Sequence, residues 1–302
     1  MMRRQLRKAL DPGWSQQLHG LYVSTANNLS GAIKTSFVAS QKRIALDTLA
    51  AAIEAGRVDD AIEQARIGRT RLGNDPVQRE IHAAMNAASD FEVASIATTT
   101  GKVVNPLGRH MKRYLDTQTA KRIKAIDDAS RQTVSRIIAD ALKTGRHPYN
   151  TAASIKETVG LTDPMARAVS KYRLGLEAKG ELPQPTIDKL VSGYSDRLLD
   201  ARAETIARTE TMNAINGARQ ALRTELMEDG VLPPNQTHTW RTARDERVCT
   251  ICGPLDGMSI PVGESFPDAD TDAPPGHPNC RCIVTLDDMT GATEGEEEEA
   301  VE

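Results

Sequence analysis

The chain has 302 residues, a formal net charge of −3 and an aromatic content of only 3 %. That length can bury a substantial core, which with so few aromatics must be built from Ala, Leu, Ile and Val. No apolar run approaches the roughly 20 residues that span a bilayer, and MMRRQLRKALDPG lacks the apolar middle and cleavage site of a signal peptide, so a soluble chain made in a reducing cytoplasm is expected.

In chain order, Leu18 to about Ala65 has a helical pattern with no proline, in which polar residues flank the recurrent Ile44, Leu46, Leu49, Ala52 and Ile53. RLGNDPVQRE breaks it, because Gly73, Asn74 and Asp75 are turn residues and Pro76 suits the first turn of a new helix. A second break falls in GKVVNPLG. From His110 to Lys143 a long amphipathic helix is predicted from the spacing of Tyr114, Ile123, Ile126, Val134, Ile137 and Leu142. TGRHPYN ends it, and two shorter helices follow, TAASIKETV closed by Gly160 and one starting at Pro164 behind a Thr162–Asp163 cap. The strongest helical signal is Asp200 to Asp229, with Ile206, Ala214, Ile215, Ala218, Leu222 and Leu226 on the buried side and Gly230, Pro233 and Pro234 as its stop.

Charge is distributed unevenly along this order. Residues 1–150 hold 23 Lys and Arg against 14 Asp and Glu, whereas 151–302 hold 15 against 27. The basic excess concentrates in 102–146, where Lys112, Arg113, Lys121, Arg122, Lys124 and Arg131 are candidates for neutralising DNA phosphates. A solvated helix face is the alternative reading of the same residues.

After Gln236 the helix formers thin out. Short β-like pieces at HTWRT, MSIPV and RCIVTL are separated by Gly, Pro and Asp turns. The expected fold is therefore mainly α with a small, irregular, β-containing C-terminal module (α+β). An elongated helical region with a basic face (1–146) precedes helices within 151–229 and a module over 237–286, and an acidic tail (287–302) is expected to be disordered. A module this small and strand-poor needs a staple.

All four cysteines fall inside it, as Cys249-Thr-Ile-Cys252 and His277-Pro-Asn-Cys280-Arg-Cys282. Two such knuckles can complete a tetrahedron around one ion, with five donors for four positions: either four thiolates with His277 behind them, or His277 in place of one. Structural zinc is the leading reading, with buried reduced thiols or disulfides as the competing one. Catalytic zinc fits poorly, because no Glu stands beside His277 and the CxxC precedes it. Arg208 and Glu210 diverge by about 200° on a helix, so they are read as structural, as is Trp240; Asp245, Glu246 and Arg247 are read as turn residues. No role is assigned to His19, His82, His110, His147 or His238.

The ordered strings IARTETMNAIN, TWRTARDERVCTICGPLDG and PPGHPNCRC resemble the signature of the phage head morphogenesis family, the minor head proteins similar to protein F of phage Mu. The resemblance covers about 147–286 and leaves 1–146 uninformed. It implies a non-enzymatic virion assembly protein, present in few copies inside the capsid near the portal and in the host cytoplasm during assembly. Implied partners are the portal protein and the major coat or scaffold protein, with double-stranded DNA added by the basic face. Some relatives carry a toxin or transferase domain after the cysteine module, where this sequence has its acidic tail. A DNA-binding protein without a capsid role, and a metal-dependent nuclease or transferase, are the rival functions.

Overall fold

The computed structural model describes residues 12–64, 76–102, 109–267 and 269–287; within its helices the side chains of 12–15, 64, 109–112, 115–116 and 118–127 lie outside the description. Eight α-helices are described: α1 (Pro12–Arg43), α2 (Leu46–Glu54), α3 (Val58–Gln64), α4 (Pro76–Thr100), α5 (Arg109–Thr144), α6 (Pro148–Thr158), α7 (Asp163–Lys179) and α8 (Gln184–Glu228). Three short strands follow, β1 (Thr237–Arg241), β2 (Ser259–Pro261) and β3 (Ile283–Leu286). No helix among the described residues is long and apolar enough to cross a membrane.

The predicted strand pieces all form, and the predicted stretch from Leu18 to Ala65 resolves into three helices rather than one. Ile44 and Ala45 separate α1 from α2, and Gly56, at φ 69°, helps to turn the chain between α2 and α3. The helix predicted from Asp200 begins sixteen residues earlier, at Gln184. Pro183 stands just before that start, and the carbonyl of Pro183 accepts the N–H groups of Thr186 and Ile187 at 2.9 and 3.2 Å. The turn at Gly73–Asp75, much of GKVVNPLG and the tail beyond Asp287 lie outside the described residues.

The chain divides into two compact units, and the boundary between them falls inside α1, α4, α5 and α8. One comprises the described residues of Ala26–Glu80 and Gln118–Ala207. In it α2 packs on α6, and Leu29, Leu49, Ile138, Ile155 and Val191 are each fully buried, as is Phe37. Gly160 closes α6 at φ 88°; a Cβ there would come within 2.9 Å of both Phe37 and Leu199. Small size and left-handed backbone are therefore both required at that position.

The other unit comprises the described residues of Met1–Thr25, Ile81–Thr117 and Arg208–Glu302. Its sheet is antiparallel, in the order β2-β1-β3, with Thr239 opposite both Ser259 and Thr285 and Trp240 opposite Val284. Trp240 is fully buried at the centre of a cluster with Cys252, Leu255, Phe266, Ala273, Cys280, Cys282 and Val284. A separate aliphatic cluster of Ile96, Leu222, Leu226 and Leu232 joins α4 to the end of α8. Gly217 in the middle of α8 has a local cause: the Tyr114 hydroxyl lies 1.7 Å from where a Cβ would stand, and it donates to the Asn213 carbonyl at 3.2 Å.

Candidate metal centre

The cysteines come from two loops. The first follows β1, where the Cys252 N–H donates to Cys249 Sγ at 3.3 Å and the Gly253 N–H to the Cys249 carbonyl at 2.9 Å, which folds the pair into a knuckle. The second leads into β3. Asn279 sits there at φ 60°, a conformation that Asn tolerates better than most residues, and its N–H donates to Thr209 Oγ1 on α8 at 3.2 Å.

His277 Nε2 lies 3.1 Å from Cys249 Sγ and 3.2 Å from Cys252 Sγ, and Cys252 Sγ lies 3.8 Å from Cys280 Sγ. The donors form two overlapping triads, Cys249–Cys252–His277 and Cys252–Cys280–Cys282, each with all its donor atoms within 4.8 Å of one another. The four thiols are free. A separation of 3.8 Å far exceeds a disulfide bond of about 2.05 Å, and it matches the edge of a tetrahedron built on metal–sulfur bonds of about 2.3 Å. His277 Nδ1 faces the Pro278 carbonyl at 2.8 Å; with the proton there, Nε2 presents its lone pair to the thiols, as in ligating imidazoles. These residues can hold a metal ion.

Crowding separates the acidities of the donors. A hydrogen bond from the Cys282 thiol holds Cys280 down at about 5, and the same bond, with burial, pushes Cys282 far up. Burial and the neighbouring Cys280 push Cys252 up to about 12. For His277, burial opposes the charged ring, but the Pro278 carbonyl and the thiols of Cys280 and Cys249 prevail and raise it. Of the three buried thiols, Cys280 is thus the one whose surroundings favour the thiolate, the ligating form.

Asp245, expected to be a plain turn residue, ties the two loops together from outside. It accepts both Arg281 Nη atoms, at 2.6 and 2.7 Å, and this pairing holds its carboxyl well below the usual carboxylate range.

A polar stripe on α8 grips the module by its backbone. Asn216 Nδ2 donates to the Pro274 carbonyl at 2.9 Å and Gln220 Nε2 to that of Asp272 at 3.3 Å. Arg219 and Arg223 donate through Nη2 to the Val284 carbonyl, at 3.0 and 3.4 Å, and through Nε to the two oxygens of Glu92, both at 2.6 Å. Glu92 is 2 % exposed and Arg223 fully buried. Although burial works against its charge, the two guanidinium groups hold the Glu92 carboxyl at about 2. Sequence reading missed this network; its one signal is polar residues spaced i, i+3, i+4, i+7 from Asn216, beside the apolar stripe. His238, given no role, is fully buried, stacks on Phe266 at 5.4 Å, and has Nδ1 3.4 Å from Arg223 Nη1. Burial, then the charge of Arg223, pushes it down to about 4.

The remaining predicted residues are more scattered. Arg208 is exposed and Glu210 half-buried on α8, and between them Thr209 makes the Asn279 contact. Arg113 is exposed in the unit that holds the cysteines. Arg131 belongs to the other unit, half-buried and 3.5 Å from Glu63. The side chains of Lys112, Lys121, Arg122 and Lys124 lie outside the described residues. The unit with Arg131 also contains a cavity of about 960 Å³ lined in part by Lys42, Arg146, Tyr149, Glu157, Arg173 and Asp188. Within it Arg173 pairs with Glu157 at 2.6 Å and with Asp188 at 2.7 Å.

Fold and site together define a helical protein that ends in a small sheet built around a Cys/His cluster able to hold a metal. Residues 132–285, just over half of the chain, match the family described as Phage Mu protein F like protein, and the chain belongs to that family. It is accordingly a phage head morphogenesis protein. Neither a curated protein nor a solved structure matches the chain.

Proposed function

We propose that the chain is a minor head protein, present in few copies inside the capsid, where residues 147–286 dock on the portal or the inner coat surface. The observation that carries this reading is the match over 132–285, the segment in which the five donors converge. In this reading the cluster takes zinc as a structural staple. Thiolate and imidazole are donors that suit zinc, and five candidates are enough to close all four positions, as structural sites require. The chain acts as a component of the head and not as an enzyme.

Double-stranded DNA is the further partner proposed, through the basic residues of 102–146, of which Arg113 is exposed. Binding of that kind weakens steeply with salt, because each neutralised phosphate releases counterions.

The test is to co-express the chain with the coat and portal proteins of its own virus, sediment the particles and count copies by mass spectrometry, with and without portal. A few copies per particle, present only with portal, is the expected result. A chain that stays soluble in both cases would overturn the docking role and move the DNA-binding reading to the front.

A further inference from the structure

We propose that Glu92 is a positioning residue that couples helix α4 to the cysteine cluster, so that docking of α4 and loading of the cluster are linked through the Val284 carbonyl. Glu92 lies outside the matched segment, whereas both of its guanidinium partners lie inside it. Each of Arg219 and Arg223 uses Nε on Glu92 and Nη2 on the Val284 carbonyl. Val284 is two residues beyond Cys282, and in the sheet it stands opposite Trp240.

The carboxylate therefore fixes two guanidinium groups, and these fix the strand into which Cys280 and Cys282 lead. Without it, two positive charges one helical turn apart would be left buried against each other, and their hold on Val284 would loosen. Asp287, whose charge also reaches this group, already accepts hydrogen bonds from Thr237 and Thr239. Coupling of two binding events is reciprocal. A metal ion that orders Cys280–Cys282 must stabilise α4 in its place to the same degree that α4 strengthens metal binding.

The zinc readout of this proposal rests on the structural-zinc reading above, and its test has a second readout that does not. The full chain and its Glu92→Gln variant, the same shape without the charge, are titrated with zinc against a competing chelator. Hydrogen exchange is followed at 280–286 and at 84–98. In the variant, zinc affinity should fall by about tenfold or more, the usual cost of losing a group that supports a ligand, and 280–286 should exchange faster. In the wild type, removing zinc should speed exchange in α4, which carries no ligand.

A folded variant with unchanged affinity and unchanged exchange at 280–286 would overturn the proposal. If the variant does not fold, the wild type decides: α4 exchange that ignores the chelator overturns the coupling, and faster exchange supports it. A wild type that takes up no zinc, with 280–286 loosened in the variant, would remove the metal reading and leave the coupling of α4 to that strand standing.

Discussion

Each compact unit buries an arginine, and the two do so differently. Arg223, with Arg219 beside it, is neutralised by Glu92, a carboxylate 131 residues away in sequence. Arg202, 5 % exposed, donates to the Gly160 carbonyl and the Ser130 hydroxyl and lies over the Phe37 ring at 5.4 Å, with no carboxylate paired to it among the described residues. Burial holds both down to about 10. The helical unit can support such a group because aliphatic packing already holds it together. The cysteine unit, with three strands of five, three and four residues, adds polar grips and a donor cluster to its two apolar clusters.

The largest effect that separates the two should come from the metal. Chelation at neutral pH, or Cys249→Ser with Cys280→Ser, should unfold 237–286, since structural zinc contributes on the order of 10 kcal/mol. The helices of 26–80 and 118–207 should persist, as read by hydrogen exchange. Next comes Glu92→Ala, which leaves two buried guanidinium groups unpaired and should cost about 3–5 kcal/mol in urea unfolding. Arg202→Met should cost less, about 1–3 kcal/mol, because it strands a carbonyl and no charge. Costs of equal size for these two variants would remove the contrast.

A further effect is on pH dependence. His238 has its folded pKa lowered, to about 4, so an unfolded chain takes up a proton below about pH 6.5 that the folded chain refuses. Stability should therefore fall between about pH 6.5 and 4 and level off below that as far as this group is concerned. Glu92, with its folded pKa lowered to about 2, adds stability that is fully present above about pH 4.5 and is lost as pH falls towards 2. His238→Phe should flatten the upper part of the acid limb and leave the lower part; a limb of unchanged shape would show that the imidazole does not set it.

Local signals carried well from sequence to structure. β2 and β3 fall inside MSIPV and RCIVTL, and β1 matches HTWRT within one residue, because β-branched and aromatic residues between turn residues leave few alternatives. The knuckle spacing of Cys249, Cys252, Cys280 and Cys282 is likewise a local signal, and His277 stands against the first pair. What could not be read depends on distant partners. Nothing near Glu92 on α4 announces that it meets Arg219 and Arg223, and Asp245 reads as a turn acid until Arg281 arrives from the other loop. The first sixteen residues of α8 are missed because Gly193 and Ser195 weaken its pattern. Ser195 is nevertheless buried, donating to the Glu157 carbonyl.

The most direct test of the account is to purify the full chain without added metal or chelator, measure bound metal by mass spectrometry, and titrate its thiols before and after chelation. The account predicts one zinc per chain, with thiols that react only after the metal is removed. A metal-free chain, folded over 237–286 with all four thiols reacting at once, would contradict it.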